Sequence, residues 1–562
     1  MVLQNGEITA NKIGNYIIYV KTNDGKYMVS CNVLVENMNI KVALSNINPY
    51  TFTFRKSQDT SKHNNLEKTP EKDVFDMSVG YVNDLHGQTN NMTRILSGIK
   101  GDLKLSAGDN DIGDEKNKAV NRAVMKFMNL AGISGSALGN HELDTKQKDF
   151  VDTINGFNGD YFAVNLKQSP IETQDPDDVE EQEHIELNKF IKKSSIIEVK
   201  GEKIGLIGAA PIDLTARVTH PSYHMDCSVE DLDDTIEDIQ EQVQELKEQG
   251  VNKIFLLSHM GNQTDKIVAQ KTQGIDVIIG GHTHELIKDV KEGENLLYSL
   301  TGEPVVITEA GKNGNYFGRL NLTFDKDGVI TKIQNNLGET RLFQKNMINQ
   351  YIINEILGQP EEVGYIKSVT PPPTTLIEEN AHANFMCDAM RAELATDIAI
   401  WNNSGTRSFF QPGVIDSRDI KDIAPFEDRV SVADVSERKL VDFFKHAIED
   451  TYRTQGNKPG LMAVSGMTYS VNPEKGILTG MSIIDKDGNE IKIDVDNPSD
   501  DKFYKVAMDS FMMFDGADFD ILAPKEECIN YPFNKDFLAC EYIKHLNEPV
   551  VINQTGRIKF ES

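Results

Sequence analysis

Apolar runs along the chain end, again and again, in a short polar motif. Phe75–Val82, Leu103–Ser106, Gly135–Leu138, Lys253–Leu257 and Asp276–Ile279 each read as a buried strand. Between them lie stretches of helical period, for example Val120–Leu130 and Ile236–Lys247. That alternation predicts a layered α/β domain with a largely parallel sheet. In such sheets ligands collect in the loops beyond the carboxyl ends of the strands. The polar segments that follow the runs are therefore the place to look for chemistry.

Flanking regions pattern differently. Residues 1–36 alternate in strand fashion, with Asn15–Thr22 and Lys26–Val35 either side of Asn23-Asp24-Gly25, which predicts a hairpin. Residues 37–73 hold Asn, Ser, Thr, Lys and Pro with little period beyond Tyr50–Arg55 and read as a linker. Phe343–Val363 is amphipathic and is followed by Pro371-Pro372-Pro373, so 343–374 reads as an interdomain helix and linker. The expected division is a β segment over 1–36, a linker over 37–73, domains over 74–342 and 375–562, and the connection between those domains. No internal repeat or low-complexity tract is visible.

Five motifs follow the apolar runs: Asp84-Leu85-His86, Gly108-Asp109-Asn110, Gly139-Asn140-His141-Glu142, Ser258-His259 and Gly281-His282-Thr283-His284. One Gly-Asp is ordinarily a turn, and one surface His is ordinarily idle. The set is different, because Asp84, His86, Asp109, Asn140, His259, His282 and His284 supply about the donors that two adjacent divalent ions need, with no thiol among them. Asp84 and His86 sit two apart and face the same way on an extended chain, as do His282 and His284. Five loops from one sheet edge are thus expected to converge. Carboxylate with imidazole suits manganese, zinc, iron or a similar ion, without choosing among them. Two dications roughly 3.5–4 Å apart activate water and clamp a phosphate for in-line attack.

Composition narrows the partners. At 562 residues there is room for three or four domains with sizeable cores. A net charge of −29 argues against a nucleic-acid surface, which needs clustered Lys and Arg. That acidity would also repel an anionic phosphate substrate, so attraction must come locally from metal. The acidic runs Asp175–Glu186 and Glu230–Glu248 read as solvated faces or loops. Five cysteines are scattered without metal or disulfide spacing. No apolar stretch reaches membrane-spanning length, and the N-terminus lacks the pattern of a signal peptide.

The motifs, in this order, resemble the calcineurin-like metallophosphoesterase superfamily, and within it the 5′-nucleotidase family, from about Phe75 to Phe560. The likeness rests on Asn83-Asp84-Leu85-His86-Gly87, Ala107-Gly108-Asp109-Asn110, Leu138-Gly139-Asn140-His141-Glu142-Leu143-Asp144, Leu257-Ser258-His259 and Ile279-Gly280-Gly281-His282-Thr283-His284. Ala310-Gly311-Lys312 to Gly318-Arg319-Leu320 resembles the close of that family's catalytic domain. The resemblance implies a four-layer αββα domain. It also implies one metal on Asp84, His86, Asp109 and His284, and a second on Asp109, Asn140, His259 and His282, with Asp109 bridging. His141 would stabilise the transition-state oxygen or leaving group, and Asp144 would fix its tautomer. The short interval between Asp84 and Asp109 departs from the family by trimming a loop.

From Glu378 onward the chain resembles the same family's α+β C-terminal domain. The markers are Asn384 to Ala389-Met390-Arg391, Asn402-Asn403-Ser404-Gly405-Thr406-Arg407, Pro425-Phe426, Val464-Ser465-Gly466-Met467, and Phe511 through Gly516-Ala517-Asp518-Phe519. The likeness implies a base stacked by Phe426 and Phe511, a ribose held by Asp518, and Asn402 and Arg407 near base and phosphate. Stacking of this kind is worth about 1–3 kcal/mol per base. Departures are the Asn-rich run at 402–407, Glu427-Asp428 after Pro425-Phe426, a one-residue slip needed at Asp518, and Glu378 where relatives carry Arg.

Residues 1–36 resemble the second half of a bacterial immunoglobulin-like domain of group 2, which a partner chain or upstream region would complete. Three functions stay open at this point. One is release of the 5′-phosphate from nucleoside monophosphates. Another is hydrolysis of a cyclic nucleotide or nucleotide sugar at the same metals. The third is a surface or virion component with an accessory esterase. The immunoglobulin-like segment points to an extracellular, cell-surface or virion-associated setting, with the cytoplasm open.

Overall fold

The structure is a computed structural model. It describes strand backbone at 7–9, 14–21, 28–35, 40–43 and 55–56, and residues 74–561 apart from 114–116, 170–184, 219–225, 455–458 and 516–520. The hairpin turn 23–25, most of the acidic run Asp175–Glu186, and Asp518 lie outside the described residues. The chain divides into two units, Met1–Leu357 and Gly358–Ser562.

The strands that lead into the motifs are buried on both faces, and their alternate residues go to different neighbours. Phe255 and Leu257 point into a core shared with Val79, Tyr81, Leu105 and Ala137. Ile254 and Leu256 point the other way, onto Ile239, Val243 and Leu246 of the helix Leu232–Glu248. That period of two assembles two sheets face to face. One sheet orders Ile191–Lys192, Asp160–Phe162, Gly135–Ala137, Leu103–Ser106, Phe75–Val82, Tyr316–Phe324 and Ile330–Glu339. The other orders Ser194–Val199, Glu202–Ala209, Ile254–Ser258, Val277–Gly280, Pro304–Thr308 and Leu296–Tyr298. Helices Thr89–Gly98 and Lys118–Ala131 cover the first sheet with Met92, Ile95, Val124, Phe127 and Met128. The result is the four-layer αββα arrangement.

One expectation needs correction. Asp84, Asp109 and Asn140 follow strands of the first sheet, whereas His259 and His282 follow strands of the second. The donors come from two sheets, not from one edge. Both sheets are buried on both sides, so their strands read as the same continuous apolar run, and the pattern does not record which strands pair.

Helix ends follow local chemistry. Asp231 caps Leu232–Glu248 by accepting from the backbone of Asp233 and Asp234 at 3.1 and 3.0 Å. Its acidic residues face outward while Ile239, Val243 and Leu246 are buried, as a solvated charged face requires. At the N-terminus, Gly14–Lys21 pairs antiparallel with Met28–Val35, the two arms of the expected hairpin. Glu7–Thr9 pairs with Ile40–Ala43, and that strand with Arg55–Lys56, so pairing continues past residue 36 into the stretch expected as a linker.

The second unit is α+β. A five-stranded sheet orders Met462–Ser465, Ile398–Asn402, Phe503–Asp509, Arg429–Ser436 and Ile529–Asn534. A four-stranded sheet and a three-stranded one complete it, with Trp401, Phe410, Phe444 and Tyr469 in the core. The division between the units, Leu357/Gly358, falls within the stretch 343–374 expected to connect them. Helix Met347–Leu357 packs on Lys118–Ala131 within the first unit. Glu362–Val369 is already a strand of the second, pairing with Gly413–Asp416 and Val550–Ile552. Pro371-Pro372-Pro373 follows that strand, so the triplet ends a hydrogen-bonded element inside the unit instead of marking its start. Among the described residues, Cys227, Cys387, Cys528 and Cys540 are free thiols, and no helix is long and apolar enough to cross a membrane.

Candidate active site

Beyond the strand ends the backbone turns through the left-handed region. Asp84, His86, Asp109, His282 and His284 have φ of 48°, 47°, 50°, 76° and 61°, and Asn313 has 57°. These are six of the nine non-glycine residues with positive φ among those described. Each such residue costs of order 1–3 kcal/mol, and such strain gathers where surrounding structure over-determines a functional geometry. The over-determination is visible. The N–H groups of Asp84, His86 and Gly87 donate to the carbonyls of Gly108, Asp109 and Asn110 at 2.9, 3.0 and 3.0 Å, lacing two loops together. A Cβ at Gly139 would lie 2.2 Å from Asp109 Oδ1, so only glycine permits that approach.

The side chains then meet. His259 Nε2 lies 3.2 Å from Asp109 Oδ2 and 3.8 Å from Asp84 Oδ1. His86 Nε2 is 3.5 Å from Asp109 Oδ2, and His284 Nε2 is 3.2 Å from Asp84 Oδ1. His141 Nε2 approaches Asp109 Oδ2 at 3.9 Å. Asp84 and Asp109 are fully sequestered from water, which by itself raises a carboxyl pKa. The charges of His259 and His284 outweigh burial at Asp84, and those of His259 and His141 outweigh it at Asp109, so both lie well below the usual carboxylate range. His259 shows the reciprocal effect. Burial opposes its protonation, but Asp109 and Asp84 raise its pKa to about 10.

Neighbours fix which ring nitrogen faces inward. His86 Nδ1 bonds Asn313 Oδ1 at 2.8 Å, and His259 Nδ1 donates to the Ala107 carbonyl at 2.6 Å. His141 Nδ1 bonds Asp144 Oδ2 at 2.6 Å. Each of these rings is thereby held with Nε2 toward the carboxylates. Asn83 Nδ2 donates to Asp84 Oδ2 at 2.7 Å and steadies that carboxylate. Glu142, fully buried, accepts from the backbone N–H of Asp109, Asn110 and Gly139 at 3.1, 2.8 and 2.9 Å, tying two motif loops to one carboxylate. Burial and then the charge of Asp109 push its pKa up to about 7.

The donor set fits a pair of divalent ions. Ligand atoms of Asp84, His86 and His284 lie within 4.8 Å of one another, as do those of His86, Asp109 and His141, and of Asp84, Asp109 and His259. His259 Nε2 and Asn140 Oδ1 are buried without a hydrogen-bond partner, as expected of atoms aimed at something other than protein. Hard oxygens and imidazoles with no thiol match a first-row dication.

Of the seven expected ligands, Asp84, His86, Asp109, His259 and His284 join these groups. Asn140 has its side-chain carbonyl oxygen buried without a hydrogen-bond partner. His282 packs edge-on to His259, ring centroids 5.1 Å apart, but its Nε2 lies 3.3 Å from Asp213 Oδ1. Asp213 is held far below the usual carboxylate range by His282 and by Arg217. The structure also adds residues that the motif reading did not assign: Glu142, Asn313, Asn83 and Asp213. Asn83 and Glu142 lie inside motifs, and Asn313 follows Ala310-Gly311-Lys312. Asp213 carries no signal in the sequence.

In the second unit, Asn402 ends the strand Ile398–Asn402 and donates to Ser404 Oγ at 2.6 Å. The Arg407 guanidinium lies over the Phe426 ring at 5.1 Å. Phe511 opens a π turn after the strand Phe503–Asp509 and is 37% exposed. Glu378 folds back on its own loop, accepting from Thr374 Oγ1, Thr375 Oγ1 and Thr375 N at 2.7, 2.8 and 3.0 Å.

Known proteins agree with this picture. The family model for calcineurin-like phosphoesterases matches residues 77–286, and that for the 5′-nucleotidase C-terminal domain matches 362–524. The trifunctional nucleotide phosphoesterase protein YfkN of Bacillus subtilis is 26% identical over 537 residues, covering 87% of this chain. The chain spans only 35% of that relative's length. A probable 5′-nucleotidase of Treponema pallidum is 26% identical over 491 residues, 75% of this chain and 78% of the relative. The crystal structure of a 5′-nucleotidase precursor from Thermus thermophilus shares the fold, with a TM-score of 0.61 at 21% identity over 86% of this chain and 99% of that one. The chain thus carries a calcineurin-like phosphoesterase domain followed by a 5′-nucleotidase C-terminal domain, the pair of domains that those family models describe.

Proposed function

We propose that this chain releases the 5′-phosphate from nucleoside monophosphates, with hydrolysis in the first unit and the nucleoside held by the second. The observation that carries the reading is the convergence of Asp84, Asp109, His86, His259 and His284 at ligand spacing, beside the His141–Asp144 pair. Asp84, His86, Asp109 and His284 would hold one divalent ion. Asp109, Asn140, His259 and His282 would hold the other, with Asp109 shared. When bound, two such ions make water nucleophilic at neutral pH and neutralise phosphate oxygens.

The protein's own groups do the rest. Asp144 accepts from His141 Nδ1–H, so the doubly protonated ring presents its second proton, on Nε2, on the side of Asp109 Oδ2. From there it can donate to a phosphoryl or leaving oxygen as charge grows on it. Asn313 and Ala107 hold His86 and His259 in the ring orientation that aims Nε2 at the carboxylates. In the second unit, Phe426 and Phe511 stack the base, Asp518 takes the ribose, and Asn402 and Arg407 steady base and phosphate. The Arg407 guanidinium lies over the Phe426 ring, which puts the two residues of this assignment side by side.

A second substrate class has its own support. Glu378 spends its carboxylate on the Thr374-Thr375 turn, so no cation for a terminal phosphate stands there. A relative is also named as a trifunctional nucleotide phosphoesterase. Phosphate release should therefore be measured with Mn²⁺ or Zn²⁺ on AMP, UMP, cyclic AMP and UDP-glucose. Fastest turnover on the monophosphates is the expected result. Preference for the cyclic nucleotide or the sugar nucleotide would replace the substrate, and inactivity on all four would remove the reading. An extracellular or particle-bound setting, with the N-terminal strands completed by another chain, belongs to the same proposal. Deleting residues 1–73 should then abolish attachment and spare hydrolysis.

A further inference from the structure

Asp213 belongs to no motif, yet it stands against one of the expected ligands. It sits in the turn after the strand Glu202–Ala209, in the sheet whose strands also lead to His259 and His282. Its Oδ1 lies 3.3 Å from His282 Nε2, and its Oδ2 takes Arg217 Nε at 2.6 Å. Asp213 occupies the N-cap position of the short helix Leu214–Arg217, but its side chain makes no capping hydrogen bond. Helix termination therefore does not account for it. His282 is restrained from its other sides as well. Its backbone N–H donates to Asp84 Oδ2 at 3.1 Å, and its ring lies edge-on to His259.

His282 differs from the other rings in which nitrogen is taken. In His86 and His259 the protein holds Nδ1, and Nε2 faces the carboxylates. In His282 the protein partner stands at Nε2, so the nitrogen left over is Nδ1. We propose that Asp213 is a positioning residue that keeps His282 protonated at Nε2 and presents its Nδ1 to the second divalent ion. The proposal rests on the ligand assignment above. A carboxylate accepting from the far nitrogen of a metal-binding imidazole fixes the ring and strengthens it as a donor. The Asp213 side chain is 43% exposed, and its other oxygen pairs with Arg217, one turn along the helix.

The test is ion binding, measured by calorimetry with MnCl₂ on chelator-stripped wild type, Asp213→Ala, Asp213→Glu and Arg217→Ala. Wild type should take two ions. Asp213→Ala should keep one and weaken the other about 10–100-fold, Asp213→Glu should recover most of the loss, and Arg217→Ala should fall between. The thermal midpoint of the stripped protein should not move. Unchanged affinities at both sites in Asp213→Ala refute the role. Equal weakening at both sites with a lowered midpoint refutes it too, since that is the signature of a structural contact. Fewer than two ions on the wild type would overturn the ligand assignment itself, and this proposal with it.

Discussion

His382 offers a quantitative test of the second unit. It is buried in the helix Ala381–Glu393, with Nε2 donating to the Thr370 carbonyl at 3.0 Å and Nδ1 accepting from Phe410 N–H at 3.2 Å. That pattern needs a neutral ring. A second proton would sit on Nδ1 and confront a donor. Burial is the leading cause of its depressed pKa, from 6.5 to about 4, with the bond to Thr370 opposing. The sign follows from linkage. Above pH 6.5 the ring is neutral folded and unfolded, and it adds no pH dependence. As pH falls from 6.5 toward 4, only the unfolded chain takes up the proton, so stability is lost through that window. A shift of this size corresponds to about 3 kcal/mol, fully lost below pH 4. Urea denaturation of wild type and His382→Gln between pH 7 and 4 isolates the term, because glutamine keeps a donor and an acceptor but does not titrate. Carboxylates titrate alike in both proteins, so the difference belongs to His382. Wild type should lose about 3 kcal/mol more than the variant across the window. Parallel curves would show that the ring is not held neutral, and the packing argument would fail.

Other substitutions separate chemistry from scaffold. Asp109→Asn and His141→Ala should each lose orders of magnitude in turnover while circular dichroism stays unchanged, and near-normal rates in either would remove the mechanism. Phe511→Ala should raise KM for nucleotides much more than for p-nitrophenyl phosphate, whereas equal effects would mean the ring does not stack a base. Lys535 Nζ donates to Asp509 Oδ2 at 2.7 Å with both groups buried, beside the Trp401 ring. Lys535→Met strands that carboxylate and should cost about 3–5 kcal/mol in denaturant unfolding; a change below about 1 kcal/mol would mean Asp509 finds water or another partner.

The part of the site nearest the strands was legible from residues alone. Phe75–Val82 and Leu103–Ser106 match the observed strands to the residue, and Asp84 and Asp109 follow them at once. Apolar period and the polar residues after it are local properties, so a linear reading captures them. What it missed is non-local. Asn313 orients His86 from a loop more than two hundred residues away, and the turn that carries Asp213 has no pattern of its own. The assignment of strands to two sheets was lost for the same reason, because burial on both faces erases the alternation that distinguishes one partner from another. Pro371-Pro372-Pro373 lies inside the second unit, because proline reports the end of hydrogen bonding and not the end of a domain. Asp518 and the hairpin turn lie outside the described residues.

Drawing donors from both sheets makes cation loading a measure of whether the halves of the first unit have docked. An ion held by Asp109 and His259 together cannot be held by either sheet alone, so binding and docking are thermodynamically linked. At a free ion concentration a hundredfold above its dissociation constant, each such site adds about 2.7 kcal/mol to the docked state. Chelators should accordingly lower the melting temperature of this unit, and scarcity of metal would shorten the life of the fold as well as slow its chemistry.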